Sequence, residues 1–248
     1  MEITSYLLGK KAGGGSGGSR DWSQIGYSAE PQGIQDGFDY AIEVMNNWDS
    51  SQTSLSYKFT YNINLVYMPL VDTSNATNFS SMFVSCLNLN TIPQLNTSNG
   101  TNFSSMFSYC YNLQKVPQLN TSTGTNFSNM FYYCSTLKEI GLLDLGNATN
   151  INALLGNDES IQILGGFKDL GKNYSTSQSE NYSNYTLNLS SCSKLTHDSL
   201  MNVINNLYDI KTKGCNNQKL VLGNTNLAKL SAEEIAIATN KGWNVTQY

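Results

Sequence analysis

Residues 77–100 read TNFSSMFVSCLNLNTIPQLNTSNG, residues 101–124 read TNFSSMFSYCYNLQKVPQLNTSTG, and residues 125–148 read TNFSNMFYYCSTLKEIGLLDLGNA. The period of 24 residues decides the fold. Cys86, Cys110 and Cys134 keep one phase, and so do Phe79, Phe103 and Phe127. Met82, Met106 and Met130 keep another, as do Leu89, Leu113 and Leu137, and Ile92, Val116 and Ile140. One such unit cannot bury its apolar side chains alone. Stacked units turn each phase into a continuous buried ladder.

Working outward, a half-copy leads in, with Leu65, Met68 and Pro69 in the phases of Leu89, Ile92 and Pro93. A decayed copy follows, with Ile151, Leu154 and Leu155 in the phases of Phe127, Met130 and Phe131. The phase of Leu89 and Ile92 is expected to give a short parallel strand, with rungs about 4.8 Å apart. Phe79, Met82 and Phe83 stand at helix spacing, so the NFSSMF phase is expected to form a helical turn capped by Thr77. Gly100 and Gly124 share a phase that a positive φ would explain. The predicted fold class is an α/β repeat: a leucine-rich-repeat solenoid with short parallel strands and short helices, an N-terminal helical cap and an extended docking peptide.

Four segments follow. Residues 1–19 are a docking peptide, MEITSYLLGKK, and a flexible linker, AGGGSGGS. Ile3, Tyr6, Leu7 and Leu8 are its candidate docking side chains. A frayed terminus or an engineered linker is the blander reading. Residues 20–60 connect it to the repeats. There Ile34, Phe38, Ile42, Met45 and Trp48 predict an amphipathic helix that covers the open end of the stack, with an oligomer seam as the alternative. Leu55, Tyr57 and Phe59 alternate as in a strand. Residues 61–155 are the repeats, and residues 156–248 are irregular repeats and a C-terminal cap. In that cap, Cys192 and Leu195 repeat the spacing of Cys86 and Leu89. A helix is predicted from Thr196 to about Tyr208, a strand over 219–222, a capping box at Ser231–Glu234 opening a helix to about Asn240, and a last strand around Trp243–Val245.

Composition narrows the chemistry. Charged residues make up 13% of the 248, the net charge is −4, and no run of Lys or Arg exists, so a nucleic-acid partner is not expected. No stretch reaches the roughly 18 apolar residues of a membrane span. Met1–Leu8 lacks the cationic start of a secretory leader, which predicts assembly in a cytoplasm. Five cysteines, an odd number, argue against a closed disulfide framework. With one histidine, His197, and no CxxC pair, no metal site, cofactor or catalytic set is predicted. The cysteine ladder, flanked by Phe, Tyr, Met and Leu, reads as buried small hydrophobes. The sequons at Asn75, Asn78, Asn102 and Asn126 matter only in a glycosylating pathway. Candidate binding residues vary within a phase: Tyr109, Tyr111, Tyr132 and Tyr133, which either face outward or pack between rungs.

Asp72-Thr-Ser-Asn-Ala-Thr77 with Met82-Phe83, repeated, resembles the BspA-like leucine-rich repeats of bacterial surface proteins. The resemblance covers about residues 61–155, and more loosely 185–248. It implies a binding protein. Because similar repeats also occur in virion proteins of phages of gut bacteria, it implies a virion structural or adhesive protein: a head fibre, a decoration or a tail-associated protein. On that expectation residues 1–11 dock on capsid, portal or tail proteins, and the repeats meet a host surface glycan or protein. A bacterial cell-surface adhesin is the alternative, and a glycan-active enzyme ranks last.

Overall fold

The computed structural model describes residues 21–25, 38–174, 185–214 and 218–248. The predicted docking side chains Ile3, Tyr6, Leu7 and Leu8, and the first part of the predicted N-terminal helix, lie outside the described residues. The architecture is mixed α/β, with short parallel strands, few helices and no closed barrel among the described residues. Strands β1 (Lys115–Val116), β2 (Glu139–Ile140) and β4 (Ile163–Leu164) pair in parallel, each shifted by one 24-residue period. Strand β3 (Leu143–Asp144) pairs with β5 (Phe167–Lys168) in the same register. The bridges Tyr67–Thr91 and Thr91–Lys115 carry the first ladder back to the earlier copies. The phase of Leu89 and Ile92 is thus the strand phase, as its apolar pattern predicts.

The NFSSMF phase is not helical. Its backbone is a pair of successive four-residue turns: the Met82 N–H donates to the Phe79 carbonyl and the Cys86 N–H to the Phe83 carbonyl, at 3.2 and 3.0 Å. The third residue of each turn is left-handed, Ser81 at φ 55° and Ser85 at φ 57°, as a type II turn requires. The same phases are left-handed in the next three copies: Ser105 and Tyr109, Asn129 and Tyr133, Ala153 and Asn157. Tyr57 and Tyr61 (both φ 59°) show the pattern operating upstream, where Leu55, Tyr57 and Phe59 alternate without forming a strand. A left-handed non-glycine residue costs on the order of 1 kcal/mol. Here the reversal turns that residue's N–H along the stack: Ser81 donates to Ser104, Ser105 to Ser128 and Asn129 to Asn152, at 2.8, 2.8 and 2.9 Å. Turn bonds within a copy and stacking bonds between copies alternate along one segment, an option a helix would forfeit.

Two details follow. Thr77 does not cap a helix; its hydroxyl donates to the Thr53 carbonyl, and Thr101, Thr125 and Thr149 repeat that bond one copy on. Gly100 and Gly124 are not left-handed. Their phase is small because the Phe103 and Phe127 rings lie there, where a Cβ would come within 2.3 and 2.2 Å of the ring tips.

The core is a set of columns. Phe79, Phe103 and Phe127 stack at 5.5 and 5.3 Å between centroids. Phe59, Phe83, Phe107 and Phe131 stack beside them at 5.6, 5.4 and 5.6 Å. Trp48 lies on Phe59 at 6.3 Å, closing that column. Helix α1 (Phe38–Asn46) buries Phe38 and Ala41 against Val66 and Tyr67. The cysteine ladder is buried, as expected, and each thiol donates to a carbonyl of the preceding copy: Cys86 to Phe59, Cys110 to Phe83, Cys134 to Phe107. Burial pushes the Cys86 thiol up to about 12 and Cys110 and Cys134 well above the ordinary range.

Beyond Lys168 the rungs lengthen. Helix α2 (His197–Asn206) is capped by Thr196, whose hydroxyl accepts from the Ser199 N–H. Strands β6 (Leu187–Asn188), β7 (Lys219–Val221) and β8 (Asn244–Thr246) form a third parallel sheet. Between β7 and β8 lie α3 (Gly223–Leu227), which the sequence pattern does not predict, and α4 (Ala232–Asn240), opened by the predicted Ser231–Glu234 capping box. His197 is exposed and reaches across to Glu234 at 2.8 Å.

Candidate functional site

The four candidate tyrosines come together. Tyr109 and Tyr133 occupy the same left-handed phase in adjacent copies, so the backbone swings both rings outward, where they stack at 5.3 Å. Tyr111 meets Tyr109 edge-on at 6.2 Å. Tyr132 meets Tyr109 and Tyr133 edge-on at 5.7 and 4.7 Å. None of the four belongs to the buried columns. Tyr111 and Tyr133 are exposed and Tyr109 and Tyr132 are half-buried, so the cluster combines the two arrangements the sequence left open: rings that stack from copy to copy and also reach the surface. Burial beneath its neighbours, and then the like charges that Tyr133 and Tyr109 would carry, hold the Tyr132 phenol above its ordinary range. Neighbouring phases extend the surface: Ile63, Leu87 and Tyr111 share one phase and are all exposed, and Tyr61 lies exposed in the phase of Tyr109.

Beside the cluster lies a depression of about 480 Å³, with Tyr132 as one wall and Asn152, Asn157, Asn188 and Ser190 around it. Its origin is a shortened turn segment in an otherwise longer copy. In the regular copies an asparagine accepts the N–H of the serine or asparagine two residues on, and the ladder residue follows eight residues after it: Asn102 and Cys110, Asn126 and Cys134, Asn150 and Asp158. Asn188 accepts from Ser190 in the same way, but Cys192 follows after only four residues. One four-residue turn is missing, and the face of Ala153 and Gly156 beneath it stays open. A Cβ at Gly156 would come within 2.4 Å of Tyr132 Cδ2, so only glycine lets that ring lie against the backbone.

A second depression, about 600 Å³, is bordered by Gln94, Asn96, Gln118, Asn120, Asp144 and Lys168. Its polar groups are engaged with one another. Gln94 and Gln118 donate to the backbone carbonyls of Gln118 and Leu142 one copy on, and Lys168 is paired with Asp144 at 2.7 Å.

One acid stands inside the ladder. Asp158 takes the cysteine's place in the fourth copy and is fully buried. Its Oδ1 accepts from the Cys134 N–H at 2.7 Å, while Oδ2 has no hydrogen-bond partner among the described residues. Burial lifts the carboxyl to about 8, against the weaker pull of the Cys134 and Gly156 N–H groups. Among the described residues no three of His, Cys, Asp and Glu cluster so as to hold a metal ion, and no helix is long and apolar enough to cross a membrane.

Residues 53–164 match a family described as "Mycoplasma protein of unknown function, DUF285". That family is related to the BspA-like repeat proteins. The match begins where the two-turn pattern begins and ends in strand β4. No curated protein matches the chain.

Proposed function

We propose that the repeats form a leucine-rich-repeat solenoid whose task is to hold a tyrosine-rich face rigidly toward a binding partner, and that the chain is a virion structural or adhesive protein anchored by residues 1–11. The observation that carries the binding reading is the tyrosine cluster. Four aromatic rings, contributed by two adjacent copies, converge at the surface with no structural column to complete. Large rings with few rotatable bonds give contact area at low entropic cost, and exposed apolar groups gathered in one patch mark interaction surfaces more often than scattered ones do. What supports the virion reading is the layout: an apolar peptide, then AGGGSGGS, then a stiff display unit.

The family description favours a second reading, a bacterial cell-surface adhesin of the same repeat type, because it names a cellular protein. Immunogold labelling of phage particles and of bacterial surfaces with antibody to the full chain separates the two. Label on particles supports the virion reading. Label confined to cells overturns it in favour of the adhesin. Deleting residues 1–11 should leave a folded chain that no longer joins particles, and normal incorporation would refute the anchoring role.

A further inference from the structure

We infer that the depression beside Tyr132 is a binding site for one unit of a neutral saccharide. The inference rests on the binding-module reading above and gives it a ligand class. Three features of the site converge. The first is its charge: every described residue lining it is uncharged, with Asn152, Asn157, Asn188, Thr186, Ser190 and Ser191 supplying the polar groups. A phosphate, carboxylate or ammonium ligand would enter with nothing to offset its charge or replace its hydration. A ligand of hydroxyl groups loses nothing by that, because a side-chain amide both donates and accepts, as a hydroxyl does.

The second feature is the aromatic wall. Tyr132 is held by three contacts: Tyr109 and Tyr133 meet it edge-on, and Gly156 lies against it. A ring fixed in this way offers a preorganised apolar plane to the C–H face of a sugar, and its position costs no ordering when the ligand binds. The third feature is shape. At about 480 Å³ the depression falls within the range of small-molecule sites, and it exists because the copy carrying Cys192 lacks one turn. The saccharide unit would occupy the place that turn fills elsewhere.

The test is titration calorimetry of the full chain with neutral oligosaccharides (maltohexaose, cellohexaose, chitohexaose, mannohexaose) and acidic ones (oligosialic acid, a heparin hexasaccharide). At least one neutral oligosaccharide should bind, and no acidic one. Tyr132→Ala should weaken binding about tenfold or more, the scale of a lost aromatic contact. Gly156→Ala should do the same with the tyrosine still present, by displacing its ring. Tyr57→Ala, exposed and outside the site, should leave affinity unchanged. On the unaltered chain, the side-chain amide signals of Asn152, Asn157 and Asn188 should shift together during an NMR titration with the sugar that binds, a readout independent of how any variant folds. The inference is overturned if no neutral oligosaccharide binds, if an acidic one binds more tightly, or if those amide signals stay still while others move. A chain that binds no sugar but still loses attachment to its target surface on Tyr109→Ala would sink the saccharide site and leave the binding-module reading standing.

Discussion

Asp158→Asn should remove a large pH dependence from the stability of this protein. The unfolded carboxyl titrates near its ordinary 3.8, whereas in the folded chain burial lifts it to about 8. Between those values the folded state keeps a proton that the unfolded state has released. Stability therefore falls as pH rises through that window, by about 1.4 kcal/mol per pH unit, and levels off above the folded value. Over roughly four units the total is on the order of 5 kcal/mol. Fewer solvating groups reach Asp158 than a surface carboxylate, since it is 0% exposed and Oδ2 has no partner among the described residues. Asparagine keeps the shape and the carbonyl that accepts from the Cys134 N–H, and it does not titrate. Its amide would lack an acceptor at the Oδ2 position, a penalty that is the same at every pH. The assay is urea unfolding of both chains from pH 4.5 to 9, reading the difference in unfolding free energy at constant m. His197 and the surface carboxylates are common to both and cancel. The advantage of the natural chain should shrink steadily from pH 5 to about pH 8 and then stay flat. Parallel curves across that range would refute the buried-acid argument. Asp158→Cys, which restores the ladder residue, should also be independent of pH below 8 and more stable than the asparagine variant, because a thiol at this phase finds the Phe131 carbonyl.

Other perturbations probe the turns, the ladder and the cap. Ser105→Val places a β-branched residue at φ 55° and should cost about 1–2 kcal/mol in thermal or urea unfolding, while Ser105→Asn, the residue found at that phase in Asn129, should be nearly neutral. Equal losses from both would show that the left-handed backbone is not what matters. Cys86, Cys110 and Cys134 should resist a thiol reagent at pH 8 until the chain unfolds, because burial holds all three thiols protonated; fast labelling of the folded chain contradicts the ladder. His197 should titrate above its ordinary 6.5, first because Glu234 accepts its hydrogen bond. The link between α2 and α4 is then fully present below 6.5 and is lost as pH rises through the folded value. An NMR titration in which Glu234→Gln leaves the His197 value unmoved would exclude that partner.

The period, the columns and the strand phase were legible in the sequence because each is a statement about which residues must be buried. Leu89, Leu113 and Leu137 are identical, and Ile161 follows them in the fourth copy, for that reason. The turn phase was not legible. Phe79, Met82 and Phe83 stand at helix spacing, but two four-residue turns also bring those three side chains inward. The signal that separates the two is the small or polar residue at positions 81 and 85, where left-handed backbone is tolerated, and Tyr109 and Tyr133 blur it. The four clustered tyrosines stand out in the sequence because their phases vary from copy to copy while the ladder phases do not. Asn152, Asn157, Gly156 and Asn188 were missed because they border a gap, and a gap appears only when copies are aligned from the asparagine of one turn to the ladder residue.

The paired four-residue turns also set how such a chain can change. Each turn closes on itself, through its own bond from fourth residue to first, before any copy-to-copy bond is made. A whole turn can therefore be lost, as between Asn188 and Cys192, while Cys192 and Leu195 remain in the ladder. Loss of one, two or three residues would instead rotate every following side chain off its column. Insertions and deletions in this segment are thus filtered in steps of four, and each permitted step opens or fills one cavity along the face. The shape of this face and the constancy of the core are governed by separate units of length, so the face can change by indel without a single core residue being replaced.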